Sequence, residues 1–136
     1  MTTAKLRVRF AETDQMGIVH HSNYAIWFEL ARVNWLDDRN MSYKEWEDEG
    51  VSLAVSELQV QYRNSAKFDD EINVEVILTV AKSRRSQFEY RLFRSNDNAL
   101  IATGKTTHTP TNRQGQAIRL PEKWLSQLQN HLESSF

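Results

Sequence analysis

The residues best equipped for chemistry lie between positions 12 and 23: Glu12, Asp14, His20, His21, Ser22 and Asn23, with a glycine at 17. The chain has no cysteine, which excludes thiolate nucleophiles, disulfides and Cys-based zinc sites. Carboxylate and imidazole chemistry remain. A carboxylate at Asp14, just ahead of a helix, stays ionised because the helix dipole and free N–H groups favour negative charge. It can then attack a carbonyl or act as a general base, the latter worth about 10²–10⁴-fold in rate. The plainer reading is an Asp that accepts backbone hydrogen bonds in a turn, and on spacing alone that is the commoner case. His20 alternates away from His21 in any extended segment and is expected to face elsewhere. Adjacent histidines rarely ligate one ion and no H-x3-H pair is present, so no metal site is expected around Glu12, Asp14, His20 and His21. No G-x-S-x-G elbow surrounds Ser22, which argues against a serine nucleophile.

The elements that must hold these residues read as strand, loop and helix. Arg7 to Phe10 alternate polar and apolar, as a half-buried strand does, and Lys5 to Ala11 is the expected extent. Ser22 and Asn23 are good helix N-caps. From Tyr24 to about Asp38, Tyr24, Trp27, Phe28, Ala31, Trp35 and Leu36 are joined by Ile26, Leu30 and Val33 on the remaining faces. A helix that is apolar nearly all round is a buried one. Its first turn offers unpaired N–H donors, which can hold developing negative charge, while Gly17 permits a turn or a close approach. Tyr24 is the aromatic nearest this point; Trp27 and Phe28 sit at a spacing more typical of plain core. Glu29 is a second carboxylate, expected to pair with Arg32.

Beyond the helix, Ser42 can cap a short second helix that stops at Gly50. Val51, Leu53 and Val55 alternate in one parity and Leu58, Val60 and Tyr62 in the other, which predicts a β-bulge near Ser56 and Glu57. Glu71 to Val80 is the cleanest strand, and Phe88, Tyr90 and Leu92 continue the pattern after a basic turn, Lys82 to Arg85. Leu100 to Thr109 is a further strand, Pro110 to Gly115 a polar loop, and Pro121 opens a closing helix with Trp124, Leu125 and Leu128. Short turns between the last four strands predict antiparallel pairing, giving an α+β fold in which one sheet wraps one helix. The sheet covers only part of that helix, so a second copy is the natural cover for the remainder.

At 136 residues, 40% hydrophobic and 26% charged, residues 1–136 read as a single domain. A net charge of −1 exerts no general pull toward nucleic acid. The first residues lack the apolar run of a signal peptide and no apolar stretch reaches membrane-spanning length, so the expectation is a cytoplasmic protein without membrane insertion.

The run R-V-x4-T-D-x2-G-I-V-x-H-x2-Y, from Arg7 to Tyr24, resembles the signature of the 4-hydroxybenzoyl-CoA thioesterase family of hotdog-fold acyl-CoA thioesterases, closest to its YbgC-like branch. Val60 to Tyr62 followed by Ala66 to Asp70 is similar to the family's next strand, turn and strand. Ser65 stands where relatives commonly have proline, and His20 where they have an aromatic, a change that bears on the acyl pocket. The resemblance implies a hotdog fold, a five-stranded antiparallel sheet around one long buried helix. It implies Asp14 as the catalytic carboxylate, the His21 N–H as oxyanion donor and the His21 side chain as a group orienting Asp14 or the thioester. Gly17 and Tyr24 would contact substrate. CoA phosphates are implied near Lys82, Arg84 and Arg85, residues whose type suits phosphate, and the run from Arg63 to Lys67 is a second basic candidate.

The implied activity is hydrolysis of a short-chain or aromatic acyl-CoA to free acid and CoA, with CoA as substrate and no cofactor. Acyl-carrier protein is an alternative carrier, and a homodimer or homotetramer is the expected assembly. A non-catalytic acyl-CoA or acyl-carrier sensor would need the pocket without Asp14. A hotdog dehydratase would need a His and an acid across a dimer, which this signature does not typify. Fold alone does not separate them.

Overall fold

Alternate apolar residues from Ile72 onward build the strand on which the rest is arranged: Ile72, Val74, Val76 and Leu78 are all fully buried. The computed structural model describes residues 1–136. In chain order the elements are β1 (Thr2–Arg7), α1 (Asn23–Asp37), α2 (Tyr43–Asp48), β2 (Ser52–Tyr62), β3 (Glu71–Lys82), β4 (Arg85–Arg94), β5 (Leu100–Thr111) and α3 (Glu122–Gln129). A 3₁₀ turn, Phe10–Glu12, follows β1. The strands form one five-stranded sheet in the order β1-β3-β4-β5-β2, with every neighbouring pair antiparallel. α1 packs against β3 and β1. This is the hotdog arrangement that the resemblance implies.

Three local expectations are corrected. The first strand begins and ends earlier than Lys5 to Ala11: Thr2 already pairs with Val76, and after Val8, whose N–H still reaches the Asp70 carbonyl in register (2.9 Å), the 3₁₀ turn takes over. β2 and β3, consecutive in sequence, do not pair: β2 joins β5 at one edge and β3 lies between β1 and β4. The link from Arg63 to Asp70 therefore crosses the end of the sheet, and its Ala66 carbonyl accepts the N–H of Val19 (2.8 Å). The third concerns Pro110, which belongs to β5 and pairs with Leu53 instead of opening a loop. The predicted bulge is present, with the β2–β5 register shifting between Val55 and Glu57.

Tyr24, Trp27, Phe28, Ala31, Trp35 and Leu36 of α1 are buried, whereas Ile26 is 54% and Leu30 40% exposed. Apolar composition all round the helix thus divides into a face covered by the sheet and a face this chain leaves open. None of the helices is long and apolar enough to cross a membrane.

Candidate active site

The loop between β1 and α1 is anchored by Glu12, which the 3₁₀ turn directs inward. Its carboxylate accepts the Arg9 N–H and the Trp27 indole N–H, each at 2.8 Å, with the Arg9 guanidinium 3.5 Å away. Burial on its own would raise the Glu12 pKa, but these donors outweigh it and hold the group below the usual carboxylate value. The Glu12 carbonyl also accepts the His20 N–H (2.8 Å) and the Asn23 amide (2.9 Å). One residue therefore ties the end of β1, the loop's return and the start of α1.

Between these anchors the chain makes a tight turn. The Gly17 N–H donates to the Asp14 carbonyl and the Asp14 N–H to the Ile18 carbonyl. Gly17 has φ of +78°, with open space where a Cβ would stand, so it serves the turn's geometry and not a close approach. Asp14 Oδ1 accepts the Met16 N–H at 2.8 Å, as an Asp in a turn does. Oδ2 has no partner in the chain, and the half-buried carboxylate keeps one oxygen available.

The start of α1 differs from the expected capping. Ser22 already has helical angles and makes no capping bond, its hydroxyl lying 2.8 Å from His20 Nδ1. Asn23 turns its amide back to Glu12. The N–H groups of His20, Ser22 and Asn23 find acceptors at Glu12, His20 Nδ1 and the His20 carbonyl; that of His21 finds none. The expectation that His20 faces away from His21 is also corrected: the rings stack, with centroids 4.1 Å apart. The segment coils into the helix at this point, so neighbouring side chains lie side by side and do not alternate.

Asp14, His21 and Tyr24 line one cavity of about 280 Å³, together with Tyr62 and Arg63 from the end of β2 and the crossing link. The Tyr62 hydroxyl donates to the His21 carbonyl (3.1 Å), fixing the peptide next to the free N–H. Burial, followed by the neighbouring Tyr62, pushes the Tyr24 hydroxyl up to about 12, so it stays protonated at neutral pH. Trp27 and Phe28 serve the core, one holding Glu12 and the other stacked on Tyr90 at 4.2 Å. Glu29 makes no ion pair with Arg32, whose guanidinium donates instead to the Tyr90 hydroxyl (3.2 Å).

Lys82, Arg84 and Arg85 are not brought to this cavity. Lys82 pairs with Arg85 at one end of the β3–β4 ladder, while Ile72 pairs with Arg94 at the other, where the crossing link and the Asp14 loop meet. Asn64 and Ser65 do line the cavity; they lie inside the Arg63 to Lys67 run that the sequence offered as a second basic candidate. What that run does not announce is its path to the Asp14 cavity, because the partner of β2 had to be found elsewhere in the sheet.

A family model for a thioesterase-like superfamily matches residues 8–128. The acyl-CoA thioesterase YbgC of Haemophilus influenzae is 33% identical over 91 residues, 66% of this chain and 67% of that protein. The crystal structure of the hypothetical protein TT1821 from Thermus thermophilus matches with a TM-score of 0.91 at 37% identity, covering 96% of this chain and 99% of that one. That of a DHNA-CoA thioesterase from Staphylococcus aureus matches with a TM-score of 0.91 at 28% identity, covering 95% and 89% respectively.

Proposed function

The chain belongs to the thioesterase-like superfamily, and from that membership we propose that it hydrolyses acyl-CoA thioesters with Asp14 as the catalytic carboxylate. What carries the reading is one juxtaposition: the free Asp14 oxygen and the unpartnered His21 N–H belong to residues lining the same cavity. The thioester carbonyl oxygen accepts the His21 N–H. Asp14 then either removes a proton from an attacking water or itself attacks the carbonyl carbon. In the second route the C–S bond breaks, the CoA thiolate leaves, and water hydrolyses the Asp14–acyl anhydride to free acid and carboxylate, its proton going to the thiolate. In the water route the tetrahedral oxyanion collapses, the C–S bond breaks, and the proton held by Asp14 passes to the departing CoA sulfur. One donor aimed at such an oxyanion is worth ~2.7–4 kcal/mol of barrier. The His21 ring flanks the cavity as an orienting group and Tyr24 supplies an apolar wall. The acyl-CoA thioesterase YbgC and the DHNA-CoA thioesterase motivate an acyl-CoA substrate, with short-chain or aromatic acyl groups as the range that the sequence resemblance implies.

Thiol release from a panel of acyl-CoAs tests this, with wild type run beside Asp14→Asn. The variant keeps the turn, since an amide oxygen still accepts the Met16 N–H, but loses the base. Turnover should fall by at least 10²-fold, with an unchanged unfolding midpoint. A variant that turns over at the wild-type rate overturns the assignment of Asp14. A wild type that binds acyl-CoA and cleaves none would instead be a sensor.

A further inference from the structure

Among the side-chain donors that line the Asp14 cavity, all but one are bonded within the chain or open to water. Arg63 donates to Gln61 (2.8 Å), Asn64 to the Leu100 carbonyl (2.7 Å) and Tyr62 to the His21 carbonyl (3.1 Å), while Ser65 and His21 are exposed. Tyr24 is 3% exposed, and its hydroxyl makes no hydrogen bond within the chain. A buried hydroxyl is nearly always bonded. The polar side-chain atoms that are sealed and unbonded are the indole N–H groups of Trp35 and Trp46, Asn73 Oδ1 and Ser86 Oγ. The Tyr24 oxygen is not one of them, so the little of this residue that shows includes its hydroxyl.

The ring that carries this hydroxyl is fixed on both sides. On one side lies Trp27, with centroids 5.1 Å apart, and the Glu12 carboxylate holds its indole at 2.8 Å. On the other lies Tyr62, edge-on, again at 5.1 Å. Tyr62 touches Tyr24 with its ring and the His21 carbonyl with its hydroxyl, so one frame sets the Tyr24 O–H and the His21 backbone together. Burial, then Tyr62, keeps the phenol protonated through neutral pH, which makes it a donor and not a base.

We infer that Tyr24 is a further catalytic residue, its hydroxyl donating to the thioester carbonyl oxygen as a second partner beside the His21 N–H; this rests on the thioesterase reading. The ring walls the cavity, and the hydroxyl acts. The carbonyl oxygen gains charge as water or Asp14 adds to the carbon, accepts from both donors, and loses that charge as the C–S bond breaks. No proton leaves the phenol. A preset donor bonds an oxyanion more strongly than a neutral carbonyl, so it raises kcat more than it tightens binding.

Tyr24→Phe keeps the ring and removes the one oxygen. On an acyl-CoA that wild type cleaves, kcat should fall about 10²-fold with KM little changed. The unfolding midpoint should hold or rise, because no bond within the chain is lost. The second readout is the infrared carbonyl band of a bound acyl-CoA analogue, labelled with ¹³C at the carbonyl and carrying a methylene in place of the thioester sulfur. The band should lie lower in wild type than in Tyr24→Phe. An unchanged kcat, or a lowered kcat with an unmoved band, overturns the assignment. Should Tyr24→Phe fail to fold, 3-fluorotyrosine at position 24 replaces it: this more acidic hydroxyl should move the band below that of wild type, and an unmoved band overturns the donor. Should wild type cleave no thioester, the thioesterase reading fails separately and the band alone decides. An analogue that wild type does not bind overturns both.

Discussion

His108 shows how far an ionisable residue can be drawn from its ordinary chemistry by its position. It is fully buried on β5, its Nε2 lying 2.8 Å from the Thr106 hydroxyl, which in turn meets the Tyr90 hydroxyl at 2.7 Å and through it Arg32. Burial first, then the Arg32 charge, lowers its pKa to about 4 against an ordinary 6.5, with the Leu53 carbonyl only partly opposing. The unfolded chain therefore takes up this proton first as pH falls. Stability is at its full value above pH 6.5 and declines through the window from 6.5 to about 4, by on the order of 3 kcal/mol from this residue. Urea midpoints across that window should fall less steeply for His108→Gln than for wild type; parallel curves would show that the residue is not held neutral. Other single residues were readable from type and spacing only in part. Asp14 could be placed as both a turn acceptor and a chemical group; one oxygen takes the turn bond to Met16 and the other has no partner in the chain, which leaves room for the second part without assigning it. Glu12 could not, because the Trp27 indole that holds its carboxylate lies fifteen positions away and meets it only once α1 is docked.

Among the elements, the parity switch in β2 announced its bulge because alternation is a local property of one strand. Pairing order is not local, and the separation of β2 from β3 left no trace in either strand's own pattern. The same limit applies to α1, whose composition foretold burial but not which face the sheet takes. Gly104 marks where the two meet. A Cβ added there would stand 2.2 Å from the Phe28 ring, so the absence of a side chain lets α1 press its aromatic onto the sheet beside Tyr90. Gly104→Ala should cost about 1–3 kcal/mol through overpacking. In a Phe28→Ala background, where the ring is gone, the same change should cost almost nothing. Urea unfolding of the four proteins closes this cycle; an equal cost in both backgrounds would trace the effect to strand backbone and not to the helix contact.

For the whole molecule the open question is what covers the face that the sheet leaves bare. β2 is an edge strand, so one row of its backbone groups is unpaired, and an edge of eleven residues is a template for another strand. Val55 and Leu58 on it are 50% and 46% exposed, and they share a surface cavity with Ile26 of α1. Strand edge and helix stripe therefore meet in one surface where Ile26, Val55 and Leu58 lie beside Glu29 and Arg32, a mixture of apolar and opposite charges that a two-fold interface can bury against itself. The end of the same strand carries Tyr62, which holds the His21 carbonyl, so copies meeting along β2 would also steady the Asp14 cavity. Light scattering should give at least twice the chain mass for wild type and about the chain mass for Val55→Lys/Leu58→Lys, because burying two cations in that interface opposes association. On dilution of wild type, activity per chain should fall in step with dissociation. A constant activity per chain as the mass halves would mean that the face joins copies without serving the site. A wild type that is monomeric at all concentrations would leave the bare stripe of α1 to some other partner and remove the reason for placing β2 against itself.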